Sequence, residues 1–145
     1  MRSSGFTLVE LIVVLAILAG LTALVAPSFS RTVASARLRS AASDVRSTLA
    51  RGRALAVATA RERTVAFDLS RGEFGVDNEA VRLLPETIRL RAVLPGEERK
   101  ERGNVRVRFF PDGSGEAAEI TVTAEDGGAL RVTVDPLAGL SEAGT

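Results

Sequence analysis

The sequence predicts an α+β protein, in which a long N-terminal helix packs over its second half on an antiparallel β-sheet domain. Two patterns support this prediction. The first sixty residues are apolar and then alanine-rich with helical spacing, and after residue 62 β-branched residues follow a period of two. We divide the chain into a transmembrane helix at 6–27, an amphipathic stalk helix at 28–62 and a β domain at 63–145.

The first of these segments has the length of a membrane span. Twenty-one residues run from Phe6 to Ala26, and Glu10 is the only charged one among them. As a helix they extend over about 30 Å, the hydrocarbon thickness of a bilayer. A buried core helix would need protein on every side. A secretory signal peptide would have a shorter apolar block that ends in a cleavage signal.

Glu10 needs a partner in such a helix. A carboxylate at the centre of a membrane costs roughly 2.5–3.5 kcal/mol, and less near the interface. Arg2 lies eight residues before it. A second partner, a new α-amino group, would arise if the chain were cut between Gly5 and Phe6. At the other end of the segment, Pro27 removes a helical hydrogen bond, and we expect a kink or a short unwound stretch there.

The stalk has one apolar face and one basic flank. Apolar or small residues recur every three or four positions, at Leu38, Ala41, Val45, Leu49, Gly52 and Ala56. Arg39, Arg46 and Arg53 follow one another at intervals of seven along one side. This flank is open to four interpretations: a solvated face, contact with acidic surfaces of neighbouring subunits, contact with lipid headgroups, or contact with nucleic-acid phosphates. No aromatic residues are interspersed among the arginines, so a stacking platform for single strands is not expected.

The β domain shows six alternating stretches, at residues 63–69, 73–77, 87–94, 104–110, 118–124 and 129–134. The sequences SRGE at 70–73 and EDGGA at 125–129 predict hairpin turns. Residues 95–104, PGEERKERGN, form a densely charged loop that we expect to be a mobile surface connection.

Composition excludes several kinds of site. The chain has no cysteine and no histidine, which rules out disulfides, thiolate nucleophiles, zinc sites and imidazole bases. We therefore expect no cofactor, no metal and no enzymatic activity. A membrane-anchored hydrolase would have to use carboxylates alone, or a Ser–Lys pair with Lys100, which lies in the charged loop.

The stretch GFTLVEL at residues 5–11 resembles the processing site of type IV pilins and type II secretion pseudopilins. The resemblance implies that residues 1–5 are a leader peptide. It also implies that a prepilin peptidase and methyltransferase cleaves between Gly5 and Phe6 and N-methylates Phe6. Glu10 would then pair with the N-terminal amine of a neighbouring subunit during assembly.

The stretch FFPDGSGEAAEITV at 109–122 resembles a motif of the GspH/FimT group of minor pseudopilins and pilins, and VDPLAGL at 134–140 resembles the closing segment of that group. Pro111, Asp112 and Gly113 have the chemistry of a tight turn, because proline sets φ, aspartate caps the turn and glycine accepts positive φ. We predict a structural turn there and a second one at Asp135, Pro136 and Gly139. The calcium-binding loop of major pseudopilins and the disulfide loop of pilins have no counterpart in the sequence.

The resemblance implies a GspH-like minor pseudopilin, a structural subunit of the periplasmic pseudopilus that type II secretion needs for protein export. Its partners would be the prepilin peptidase, other pseudopilins or pilins through the N-terminal helix, and the inner membrane. A count of positive charges would place the domain in the cytoplasm, but such counts lose force when a whole domain is translocated. We follow the resemblance, which implies a single-pass inner-membrane protein with a cytoplasmic N-terminus and a periplasmic domain.

The alternative is a FimT/FimU-like minor pilin of a type IV pilus, with a role in DNA uptake. DNA binding would favour a basic C-terminal region. Residues 104–145 carry three arginines against seven acids, whereas residues 31–63 carry eight arginines against two. We therefore do not expect nucleic acid as a partner.

Overall fold

A computed structural model describes residues 7–77, 79–136 and 139–144, and the side chains of all of these except 22–31 and 142–144. The chain divides into two compact units, Met1–Ala34 and Ser35–Thr145. One α-helix, α1 (Leu8–Thr59), begins in the first unit and ends in the second. The helix continues without interruption across Pro27, so the short unwound stretch is absent there. The kink at Pro27 stays a prediction.

The part of α1 in the second unit packs on the domain through the predicted face. All six predicted positions of that face, together with Ala42 and Thr48, are buried. Gly52 permits the closest approach, since a Cβ atom there would lie 2.6 Å from Cγ2 of Val65 on the sheet. A cap ends the helix: Ala60 takes a φ of 50°, and the Arg61 N–H donates to the Ala56 carbonyl.

Eight strands follow the helix. Their bounds are β1 (Arg63–Asp68), β2 (Glu73–Val76), β3 (Arg82–Leu83), β4 (Ile88–Val93), β5 (Asn104–Phe109), β6 (Ala118–Ala124), β7 (Ala129–Asp135) and β8 (Gly139–Gly144). The six predicted strands match β1, β2, β4, β5, β6 and β7 to within one residue at each end. The sequence did not predict β3, which is two residues long, or β8, which has no alternating β-branched residues.

The strands form two four-stranded antiparallel sheets, in the orders β3-β2-β1-β5 and β4-β6-β7-β8. The predicted antiparallel β domain is confirmed, but its strands form two sheets and not the single sheet that the sequence predicts. The chain moves to the second sheet for β4, returns for β5 and moves again for β6. Local alternation specifies which face of a strand is buried but leaves its neighbour undetermined, so the sequence pattern could not reveal these crossings.

Both predicted hairpins are present. Asp68 pairs with Glu73 around residues 69–72, and Thr123 pairs with Ala129 around residues 124–128. A single hydrophobic core joins the buried face of α1 to both sheets and includes the stacked rings of Phe67 and Phe74, whose centroids lie 5.8 Å apart. Within the charged loop, the backbone of Lys100 forms a bridge with Ala92.

Candidate functional site

The N-terminal end of α1 presents an apolar surface on all sides. We call residues 8–21 the apolar segment. Its leucine, isoleucine and valine side chains are exposed by between 43% at Val14 and 75% at Leu8. Apolar side chains at such exposure need lipid or protein around them.

Glu10 lies in the first turn of α1, and its side chain is exposed. Thr7 caps this turn, because its hydroxyl Oγ1 accepts a hydrogen bond from the Glu10 N–H at 3.3 Å and its carbonyl oxygen accepts from the Leu11 N–H at 3.2 Å. Glu10 is thus the third helical residue after the cap, where the positive end of the helix dipole favours a carboxylate.

The predicted processing residues, Gly5 and Phe6, lie outside the described residues, as does the side chain of Pro27. Among the residues that the structure describes, no helix is both long and apolar enough to span a bilayer.

The arginine flank separates into two parts. Arg39 and Arg46 are exposed, and neither side chain has an ion-pair or hydrogen-bond partner among the described residues. Arg53 differs from them, since it is half-buried and its Nε donates to the carbonyl oxygen of Gly113 at 2.6 Å. Arg53 is therefore occupied within the fold, and the four interpretations of the flank stay open for Arg39 and Arg46.

Arg53 contacts both of the motifs at the C-terminal end. Besides its bond to Gly113, its Nη1 lies so near Gly139 that a Cβ atom there would be 2.6 Å away. Gly139 also has a φ of 99°, a backbone conformation that favours glycine. One helical side chain therefore joins two turns that are twenty-six residues apart in the sequence.

The first turn has the predicted geometry. The Gly113 N–H donates to the Phe110 carbonyl at 2.9 Å, and Gly113 has a φ of 83°. Asp112 Oδ1 accepts hydrogen bonds from the backbone N–H of Ser114 at 2.9 Å and from its hydroxyl at 2.6 Å, and these bonds lower the pKa of Asp112. The carboxylate is thus engaged in closing the turn. The described residues contain no group of three acids able to hold a metal ion.

The second turn connects β7 to β8. Asp135, the last residue of β7, pairs in register with Gly139, the first residue of β8, and Pro136 lies in the turn between them.

Two ion pairs attach the opposite flank of α1 to the segment around β3. Arg51 binds Glu79 through two hydrogen bonds of 2.6 and 2.8 Å, and Arg82 binds Asp44 at 2.6 Å. The first pair lowers the pKa of Glu79 and raises that of Arg51. The cavity beside them, of about 630 Å³, is lined by Ser47, Thr48, Arg51, Gly75, Val76, Glu79, Ala80 and Arg82.

A second concavity lies between α1 and the start of β8. We call it the helix groove. It has a volume of about 500 Å³ and is lined by Ala50, Arg53, Ala54, Val57, Ala58 and Leu140. Sequence reasoning missed the groove and the contacts of Arg53, because nothing in the local pattern shows that residues 113 and 139–140 meet this flank of the helix.

Comparison with known proteins gives matches over both parts of the chain. Residues 41–138 match the family of the type II transport protein GspH, and residues 1–26 match the prokaryotic N-terminal methylation motif. A similar solved structure is that of the minor pseudopilin EpsH from the type 2 secretion system of Vibrio cholerae. It aligns with a TM-score of 0.60 and 14% identity, over 74% of this chain and 97% of that chain, which is a likeness of fold. No curated protein gives a significant match.

Proposed function

Because this chain belongs to the GspH family of type II transport proteins, it is a minor pseudopilin of type II secretion, and we propose that it enters the periplasmic pseudopilus through α1. The observation that carries this proposal is the apolar segment, whose exposed side chains require a partner or lipid, with Glu10 in its first turn. The role is structural, and the subunit acts by binding other subunits.

The methylation motif at residues 1–26 supports processing by a prepilin peptidase. In our proposal the enzyme cleaves between Gly5 and Phe6 and methylates Phe6. Removal of the leader leaves Thr7 one residue after the new N-terminus, so the new ammonium group forms close to the helix start. Glu10 of one subunit then neutralises the ammonium group of another, which makes the pair compatible with a lipid or protein interior.

We further propose that the processed chain is anchored in the inner membrane by residues 6–27, with its domain in the periplasm. The uncharged run from Leu11 to Ala26 supports anchoring, since no other stretch of the sequence is comparably apolar. Other pseudopilins are the expected partners in the filament.

Mass spectrometry tests the proposal directly. The full chain coexpressed with prepilin peptidase should lose residues 1–5 and gain one N-methyl group on Phe6. The same chain expressed without the peptidase should keep its leader and serves as the control. An intact leader in the presence of active peptidase would contradict the proposal.

A further inference from the structure

We propose that the flank formed by Arg39 and Arg46 binds an acidic groove on the β3-β2-β1-β5 sheet of a second copy of this chain. We call this surface the sheet groove. It is a concavity of about 400 Å³ on the side of that sheet that faces away from α1. The inference rests on the proposed function, because it needs two copies side by side, and it concerns a contact outside the proposed membrane segment. The contact is heterologous, since two different surfaces meet.

The floor of the sheet groove is apolar and made of small residues. Val65 packs on α1 at Gly52, so the next residue of β1, Ala66, points away from the helix and is exposed. Ala66 pairs in register with Gly75 of β2. A Cβ atom on Gly75 would lie 3.3 Å from Cα of Val81, so Val81 stands beside this floor as an apolar wall that is 64% exposed.

The ends of the sheet groove are acidic. Asp68 and Glu73 pair directly in register at one end, and Asp77 and Glu79 lie at the other. Like charges placed directly opposite each other repel, and Glu73 has no side-chain partner among the described residues. Four of the lining residues are thus acids, and Arg106 is the one base among them. The groove therefore favours a cationic occupant.

The flank has the matching shape and charge. Arg39, Ser43 and Arg46 follow one another at steps of four and three, so they share one face of α1, and all three are exposed. Seven residues separate the two arginines, which is about 10 Å along the helix axis. The flank thus presents a small residue between two unpaired cations.

The spacing of the two groove ends is similar. Asp77 accepts a hydrogen bond from the Thr64 N–H at 3.2 Å, and Asp68 lies four residues after Thr64 on β1, about 13 Å along the strand. Ala66 lies midway between them. With one arginine at each end, Ser43 comes to lie over Ala66, and two small residues allow the helix to approach the sheet closely.

The ion pairs within one copy show which end of the groove each arginine meets. Arg82, which pairs in register with Phe74, binds Asp44, whereas Glu79 binds Arg51 further along the helix. The end with Glu73 therefore lies beside an earlier part of the stalk than the end with Glu79. In two parallel copies, Arg39 faces the first end and Arg46 faces the second.

This arrangement has the same register as the proposed pairing of Glu10. Arg39 comes five residues before Asp44, and Arg46 comes five residues before Arg51. A shift of about five residues between parallel helices brings Glu10 of the second copy beside the new N-terminus of the first, since Phe6 precedes Glu10 by four residues. Both contacts can therefore form between the same two copies, with residues 6–27 of each in the membrane.

The other interpretations of the flank fit less well. Arg46 follows Ala26 by twenty residues, about 30 Å of helix, whereas salt screens the charge of a lipid surface over about 8 Å. Two unpaired arginines also supply few phosphate contacts for a nucleic acid. The sheet groove offers acids at the required spacing.

Crosslinking between cysteines tests the contact, and the absence of native cysteine makes it specific. Two differently tagged full-length copies, one with Ser43→Cys and one with Ala66→Cys, are coexpressed with prepilin peptidase and treated in membranes with a short bismaleimide. We expect a mixed dimer. The matched control combines Ser43→Cys with Ser141→Cys, because Ser141 is exposed on the other sheet, where it pairs with Thr133, and it should give none. Equal yields from the two pairs would overturn the proposal.

Exchange of charges tests the direction. Arg39→Glu in the copy with Ser43→Cys should lower the yield of crosslink by about two- to fivefold, and so should Glu73→Arg in the copy with Ala66→Cys. The two changes together should restore the yield, because the ion pair forms again with its charges exchanged. Arg37→Glu, on the other side of α1, is the matched control and should leave the yield unchanged. A combination that crosslinks no better than the single variants would contradict the proposed contact.

The remaining outcomes separate this contact from its alternatives and from the wider function. If Arg39→Glu leaves the crosslink unchanged but weakens binding of the chain to phosphatidylglycerol vesicles or to duplex DNA, the flank serves lipid or nucleic acid and the proposal is overturned. If the wild type is processed and enters pseudopili while the Ser43–Ala66 crosslink is absent, the contact is overturned and the function stands. If the wild type is neither processed nor incorporated, both are overturned.

Discussion

Arg53 Nε donates a hydrogen bond of 2.6 Å to the carbonyl oxygen of Gly113, sixty residues further along the chain. The same guanidinium group lies against Gly139. The turn at 111–113 and Gly139, the first residue of β8, thus both contact one residue of α1. Glycine suits both positions, because Gly113 has a φ of 83° and Gly139 a φ of 99°, conformations that residues with a side chain rarely adopt.

The first prediction concerns this contact. Arg53→Ala should lower the free energy of unfolding by about 1–3 kcal/mol, because it leaves the carbonyl of the buried Gly113 without its donor. Thermal and urea melts of a fragment that begins at Ser28, which we expect to be soluble and to unfold cooperatively, would measure the change. Arg39→Ala is the matched control and should stay within about 0.5 kcal/mol of the wild type. Equal stability of the two variants would show that the contact is not stabilising.

Gly52 provides the second prediction. Gly52→Ala would gain up to about 1 kcal/mol of helix propensity. However, the added Cβ would lie 2.6 Å from Val65 Cγ2 and 3.4 Å from Phe109 Cδ2. Both neighbours are buried and valine is stiff, so overpacking of about 1–3 kcal/mol should exceed the gain. Denaturant melts should show net destabilisation, whereas Ser40→Ala on the exposed side of the helix should be neutral or stabilising. A more stable Gly52→Ala variant would mean that α1 moves away from the sheet at little cost.

The third prediction concerns pH. Arg108 binds Glu116 through its guanidinium group and lowers the pKa of that carboxyl. A depressed pKa in the folded state means that the contribution is fully present above the unfolded value, near 4.3, and is lost as pH falls through the folded value. Because both side chains are partly exposed and solvent screens their attraction, the effect on stability should be small.

Melting temperatures measured between pH 7 and pH 2.5 would test this expectation. The wild type should lose more stability than Glu116→Gln over the acid range, since the amide has no charge to lose. Parallel acid profiles for the two proteins would exclude a stabilising role for the pair.

Glu10 is the subject of the fourth prediction. Glu10→Ala should leave membrane insertion unchanged or improved, because it removes a charge from an apolar helix. Co-assembly with other pseudopilins should be impaired, since the N-terminal amine of the neighbouring subunit loses its partner. Fractionation of membranes, followed by analysis of sheared pseudopili, separates the two effects. Normal incorporation of the variant would refute the pairing role.

The sequence by itself determined the order of the elements and the buried face of the stalk. The six positions from Leu38 to Ala56 were predicted from spacing alone and are buried, because helical periodicity is a local property. The turn at Pro111, Asp112 and Gly113 was equally readable, since its three residues carry their own conformational preferences. The processing motif can be recognised from its residues alone, and the match to the N-terminal methylation motif at residues 1–26 includes it.

Tertiary structure alone decided which strands are neighbours and what Arg53 does. Spacing placed Arg53 on a flank with Arg39 and Arg46, but the two C-terminal turns reach only the third arginine. Likewise, β8 has little strand propensity of its own and forms by pairing with β7. Contacts between residues sixty or more positions apart depend on how the chain crosses between the two sheets, and no local pattern encodes that path. The helix groove, which combines residues of α1 with Leu140, could therefore be recognised only once the fold was known.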